Sequence, residues 1–245
     1  MRNNLKILLL QIRDDEATTQ EEIDEFVRFS KLDASQIHTI NSYDNHNINP
    51  KVIHDYDGVM VGGSSDASVL DPVNFIFINN LKDVLQYCYK IDKPVLASCF
   101  GFQLAVEALH GKVIKDLENM EMGIYNITFN ENSKKDPLLY DYPSEIWAVS
   151  GHKERALKLP KDAILLASSE LCPYQVFKIK DKPFYAFQFH PEVDREDLIL
   201  RITRYKERYL DNDEHLKEII SHMQHDTTFA NKLIEDFVDR IVLKP

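Results

Sequence analysis

Glycine is scarce in this chain. Seven occur in 245 residues, all between Gly58 and Gly151, so a Gly-Gly pair or a glycine beside a cysteine is harder to ascribe to chance. Cysteine is scarce too. Three residues, an odd number, do not make a disulfide framework and fit reduced thiols in a cytoplasmic setting. Basic charge is in deficit: 29 Lys and Arg face 40 Asp and Glu, a net charge of −11. That disfavours nucleic acid as a partner, because non-specific binding needs a basic footprint. Long apolar runs are missing as well. The first, Leu5 to Ile12, is interrupted by Lys6 and Gln11, is too short for a membrane span and lacks a cleavage-site pattern. No membrane partner is expected. Repeats, low-complexity tracts and flexible linkers do not occur. What remains is 44% hydrophobic, enough for one sizeable core. We expect one domain over 1–245, with a core of about 5–193 and a helical extension of about 194–245.

Strands and helices alternate early. Lys6 to Gln11 reads as a central parallel strand, and Asp14-Asp15-Glu16 as a solvated turn. Thr19 reads as the cap of a helix running to about Lys31, with Ile23, Phe26, Val27 and Phe29 facing inward. Gln36 to Ile40 is a second strand and Asn41 to Pro50 a polar loop. Asp57 to Val61 is a buried strand running into Gly62-Gly63-Ser64-Ser65. Pro72 to Tyr89 reads as a long crossover helix, with Cys88 on its apolar face. Further strands are expected at Lys112 to Lys115, Gly123 to Phe129, Glu145 to Val149, Ala163 to Ala167, Tyr174 to Ile179 and Pro183 to Phe189. Helices follow at roughly Glu196 to Leu210, His215 to Gln224 and Thr227 to Val242, with Leu198, Ile202, Tyr205 and Tyr209 on one face. The order predicts an α/β fold: an open, mostly parallel sheet flanked by helices, with antiparallel additions.

One stretch organises the rest. Pro94 opens the apolar run Val95-Leu96-Ala97, as in parallel strands buried on both faces. From Phe102 to Leu109, Leu104, Ala105, Ala108 and Leu109 recur at helical spacing, and Gly111 stops the helix. Cys99 falls where strand hands over to helix. A nucleophile on such a turn stands clear of the sheet among backbone N–H groups. The helix N-terminus favours a thiolate by up to ~2 kcal/mol. The helix end is not enough by itself, so a nearby imidazolium has to supply the remainder.

Phe184 to Phe189 is a near-continuous apolar strand ending in His190-Pro191-Glu192. His190 stands at the strand end, and Pro191 stiffens the link so that Glu192 can turn back toward the ring. A cysteine nucleophile needs a base, and the base needs an orienting group. Cys99, His190 and Glu192 supply the three types. A lone histidine is usually structural, and His-Pro-Glu alone is weak. Joined to an elbow cysteine and a Gly-Gly strand end, in that order, the set is hard to obtain by chance.

These three segments, Val61-Gly62-Gly63-Ser64, Ser98 to Gln103 and Gln188 to Glu192, resemble the motifs of class I glutamine amidotransferases. The resemblance covers roughly Leu5 to Glu192 and is closest to stand-alone proteins similar to the amidotransferase domain of GMP synthase. It implies a flavodoxin-like sheet and hydrolysis of the glutamine side-chain amide through a cysteinyl thioester. By that resemblance Cys99 is the nucleophile, His190 the base and proton donor, and Glu192 its orienter. The backbone N–H groups of Gly63 and Phe100 would hold the oxyanion. Gln103 would line the glutamine pocket. Glu121-Met122-Gly123 falls beside that pocket, where Glu121 is either a partner for the substrate ammonium or a surface acid. His152 keeps a position of the family's Ser-His-Gly-Asp segment, and Glu154 replaces its aspartate. Ala97 stands where the usual elbow has glycine, the smallest change that adds a Cβ, and the elbow is expected to survive it.

No cofactor is expected. His152 and Glu154 make too small a set for a metal site. About fifty residues follow Glu192, and no Gly-x-x-x-x-Gly-Lys loop occurs, so transfer of ammonia would need a separate synthetase or acceptor protein. Three readings stand. The first is hydrolysis of L-glutamine. The second keeps the triad for γ-glutamyl peptides or γ-glutamylamines. The third is a non-catalytic binding or regulatory subunit, which the intact triad disfavours.

Overall fold

The computed structural model describes residues 2–204 and 223–243. A nine-stranded sheet runs in the order β2-β1-β3-β4-β11-β10-β9-β6-β7. Its parallel half comprises β1 (Ile7–Gln11), β2 (Ile37–Asn41), β3 (Gly58–Val61), β4 (Val95–Ser98) and β11 (Phe184–Phe187). From β11 outward every pairing is antiparallel, through β10 (Val176–Ile179), β9 (Ala163–Ser168), β6 (Glu121–Phe129) and β7 (Glu145–His152).

Period-two alternation divides the core between the two faces. Leu8 and Leu10 of β1 join the cluster beneath α2 (Phe77–Lys90) and α3 (Phe100–Ala108), whereas Ile7 and Leu9 join the one beneath α1 (Glu16–Ser30) and α5 (Thr228–Phe237). Strands covered on both sides must be apolar throughout, and β1, β3, β4 and β11 are buried along their whole length. The α4 helix (Arg195–Arg204) follows the His-Pro-Glu segment and buries Leu198 and Ile202. Among the described residues no helix is long and apolar enough to cross a membrane. The expected helix from His215 and the face residues Tyr205 and Tyr209 lie outside the described residues.

Four expectations need correction. Asp15, not Thr19, caps α1: its side chain accepts from the Thr18 N–H, and the helix begins one turn earlier. The crossover helix begins at Phe77 rather than Pro72, because the Asp71 side chain accepts from the Asn74 N–H and closes a separate turn first. Strand β5 (Lys112–Lys115) is not part of the main sheet. It pairs with β8 (Glu154–Lys158), a strand the pattern missed, and the two tuck Val113 and Ala156 into the α3 cluster. Strand β7 runs on to His152, three residues past the expected end, which aligns His152 with Glu121 across the β6–β7 ladder.

Candidate active site

The carboxyl ends of β1, β3, β4 and β11 converge on one cavity of about 350 Å³, lined by Arg13, Cys99, Gln103, His152, Glu154 and His190 among others. Cys99 follows β4 directly. Its N–H donates to the Phe187 carbonyl at 2.8 Å, so the ladder holds it up to the last residue. Its carbonyl then accepts from the Gln103 N–H at 3.1 Å and starts α3. The chain passes from strand to helix within one residue, and Cys99 takes φ 49° and ψ −102° to do so. A side-chain-bearing residue with positive φ is strained and persists where its surroundings over-determine it. They do here: a Cβ on Gly101 would lie 2.8 Å from the Val61 carbonyl, so α3 can approach β3 only through a glycine. Ala97 is fully buried and paired to both Val61 and Ala186, and the elbow forms with its Cβ in place.

His190 comes to the same edge from β11. Its N–H donates to the Val149 carbonyl at 2.8 Å, which ties it to β7 as well. Its Nδ1 lies 2.6 Å from Glu192 Oε1, and Cys99 lies close enough for its charge to act on the ring. Cys99, His190 and Glu192 therefore meet, and the carboxylate is wholly buried. Burial alone would push the imidazole pKa down. The charges of Cys99 and Glu192, with their hydrogen bonds, outweigh it and lift the value to about 10. Burial pushes the Glu192 carboxyl up, but the His190 charge beside it prevails and holds it below the usual range.

The pocket residues divide. Gln103 lines the cavity, and its Nε2 donates to the Glu154 carbonyl at 2.9 Å, bracing the loop opposite. Glu154 also lines it and accepts from the Ser68 hydroxyl. His152 lines the cavity with its Nε2 2.9 Å from Glu121 Oε2. Glu121 itself is neither a surface acid nor a cavity wall. It is fully buried behind His152, and its carboxylate takes further donors from Ser169 and, at 2.6 Å, Gln175. His152 therefore stands between this carboxylate and the cavity, and the expected direct approach of a substrate ammonium to Glu121 has no open path. Gly63 differs from expectation too. Its N–H donates to Glu22 Oε1 at 3.2 Å instead of standing open beside Cys99. Phe100 is the first residue of α3, and the amides of a first helical turn have no partner within the helix.

The motif reading missed the charged groups behind the glycines. Glu22 and Glu25 of α1 are buried, although the periodicity assigned only apolar residues to the inner face. Arg13 pairs with Glu22 at 2.7 Å, and Arg201, a further cavity residue, grips both oxygens of Glu25 at 2.7 and 2.6 Å. A charge just past a central strand end was the available signal, since strand ends are where open α/β sheets bind ligands.

The family model for class I glutamine amidotransferases matches residues 26–203, which span the elbow, the His-Pro-Glu segment and most of the cavity. The chain belongs to that family. Gamma-glutamyl peptidase 3 of Arabidopsis thaliana is 29% identical over 192 residues, 75% of this chain and 74% of that protein. A glutamine-hydrolysing GMP synthase subunit of Picrophilus torridus is 29% identical over 150 residues, 61% of this chain and 74% of that protein. The crystal structure of a glutamine amidotransferase from Thermotoga maritima superposes with a TM-score of 0.78 at 17% identity, covering 98% of this chain and 99% of that one. That likeness shows the shared fold: a large sheet, parallel in one half, with helices on both faces.

Proposed function

We propose that the protein hydrolyses the γ-amide of L-glutamine through a thioester on Cys99, giving glutamate and ammonia. The observation that carries this is the meeting of two distant segments at one sheet edge: Cys99 beside the His190 ring, and the ring braced by Glu192 at 2.6 Å. The thiolate attacks the γ-carbonyl. Its oxyanion is held by the Phe100 N–H at the positive end of α3. The His190 imidazolium gives its proton to the leaving nitrogen, then as a neutral base takes one from the water that opens the thioester. His152 and Gln103 face the rest of the substrate. Ammonia then reaches an acceptor reaction on a separate synthetase-type protein, a reading supported by the likeness to a GMP synthase subunit.

A second reading has its own support. A cavity of about 350 Å³ falls in the range that takes ligands larger than one amino acid. The γ-glutamyl peptidase relative is matched over most of its length. On this reading the same triad cleaves γ-glutamyl peptides. A panel of L-glutamine, γ-glutamyl peptides and γ-glutamylamines, with glutamate release as readout, tests both. Turnover that Cys99→Ala abolishes is expected, and the largest kcat/KM names the substrate class. Equal rates in wild type and Cys99→Ala would remove Cys99 from the chemistry.

A further inference from the structure

At the carboxyl end of β1 lies a buried cation outside the triad. Arg13 is 4% exposed and lines the cavity with Cys99, Phe100 and His190. It is fixed at both ends. The Asn41 side chain donates to its carbonyl at 2.7 Å and accepts from its N–H at 3.4 Å. Its guanidinium gives Nε–H and one Nη2–H to Glu22 Oε1, at 3.1 and 2.7 Å, and one Nη1–H to the Ser65 hydroxyl at 3.3 Å. A guanidinium carries five N–H donors, so among the described residues two are left over, one on each Nη. Burial works against the charge. Glu22 beside it, with Glu192 and Glu25 adding their field, keeps the group ionised.

The surroundings of that cation give it a use. A Cβ on Gly63 would lie 3.2 Å from Arg13 Nη2 and 2.8 Å from His190 Cε1. The width of one missing methyl group therefore separates the guanidinium from the imidazole. The Gly63 N–H, meanwhile, is turned to Glu22, which does not line the cavity. A Cβ on Gly62 would lie 2.4 Å from the same carboxylate oxygen, so Glu22 reaches this point only because residue 62 is glycine. On the β3 side of the cysteine, the donor that faces the cavity is a side chain. Topology agrees: β1 and β3 are neighbours while β2 lies beyond β1, and such a reversal of strand order opens a ligand crevice at the strand ends.

We propose that Arg13 is a catalytic residue whose remaining Nη–H groups stabilise the oxyanion opposite the Phe100 N–H. This rests on the thioester reading. As the sulfur pair forms the C–S bond, the C=O π pair moves onto oxygen, and Arg13 donates hydrogen bonds to that oxygen without giving up a proton. On collapse the pair returns to re-form C=O, the C–N bond breaks, and the leaving nitrogen takes its proton from His190. Glu22 is the positioning residue: one of its oxygens holds both the guanidinium and the Gly63 N–H.

The test uses L-glutamine and γ-glutamyl p-nitroanilide with wild type, Cys99→Ala, Arg13→Lys and Arg13→Ala/Glu22→Gln. The double variant avoids stranding a buried carboxylate, and Arg13→Lys keeps Glu22 paired. Loss of one oxyanion donor lowers kcat by about 100–1,000-fold. That loss is expected in the double variant at little-changed KM, with part of kcat returned by added methylguanidinium. A smaller loss is expected in Arg13→Lys, whose single ammonium is drawn to Glu22. Wild-type kcat in both variants, or a raised KM at unchanged kcat, overturns the assignment while the thioester reading stands. Equal rates in wild type and Cys99→Ala overturn both.

Discussion

Two imidazole–carboxylate pairs border one cavity, and they are built differently. His190 and Glu192 are two residues apart on one loop. The bond runs from Nδ1, and Cys99 lies beside the same ring. Glu192 Oε2 has no hydrogen-bond partner among the described residues. His152 and Glu121 are 31 residues apart on facing strands. The bond runs from Nε2, and the carboxylate is held by Ser169 and Gln175 as well. A carboxylate with three donors is over-determined and makes a rigid strut. A carboxylate with one donor braces a ring that, in the proposed mechanism, gains and loses a proton. Identical chemical groups thus take different tasks according to what lies beyond them, a sulfur in one case and a ligand cavity in the other.

Removing the charge from each carboxylate breaks the comparison most directly. Glu192→Gln leaves the wrong ring tautomer facing Cys99, and kcat should fall by about 10⁴-fold, the loss typical of a triad whose carboxylate becomes an amide. Glu121→Gln should leave kcat within about tenfold and act on KM, since its partner His152 lines the cavity and, in the proposed mechanism, binds substrate rather than moving a proton. Equal losses of kcat in the two variants would make the pairs equivalent. A second prediction concerns protons. His190 should titrate near 10 in the wild type, and lower in Cys99→Ala, where one of the two anions is gone. Ring-proton chemical shifts against pH read this out, and an unchanged midpoint would mean that the sulfur is not its partner. The linkage has a sign. The folded value lies above the ordinary 6.5, so the stabilisation this proton carries is complete below about 6.5 and is lost as pH rises through about 10. The smallest effect is on stability alone. Glu121→Gln exposes buried donors to a weaker acceptor and should cost ~1–3 kcal/mol in a denaturant titration.

Sequence legibility followed the same division. The pair within one tripeptide could be read directly, as could the elbow cysteine, because strand, turn and helix are written in consecutive residues. The parallel half of the sheet was legible for a similar reason: strands buried on both faces are continuous apolar runs. The second pair depends on β7 running on to His152 and on an antiparallel register that only folding fixes. Glu22 was hidden because a carboxylate on the inner face of a helix contradicts periodicity until Arg13, nine residues earlier on another element, supplies its charge. β8 was hidden because only Ala156 in Glu154–Lys158 is buried. In each case the missing information was a partner on another part of the fold.

The most direct measurement is the mass of Cys99 itself. The wild type and Cys99→Ala would be mixed with L-glutamine or the best γ-glutamyl substrate, quenched in acid within one turnover, digested and weighed. The expected result is one γ-glutamyl group on the peptide bearing Cys99, present only in the wild type and longer-lived in His190→Asn. An unmodified Cys99 in a wild-type protein that is turning over substrate would contradict the thioester, and with it the roles given to the imidazole and the carboxylate behind it.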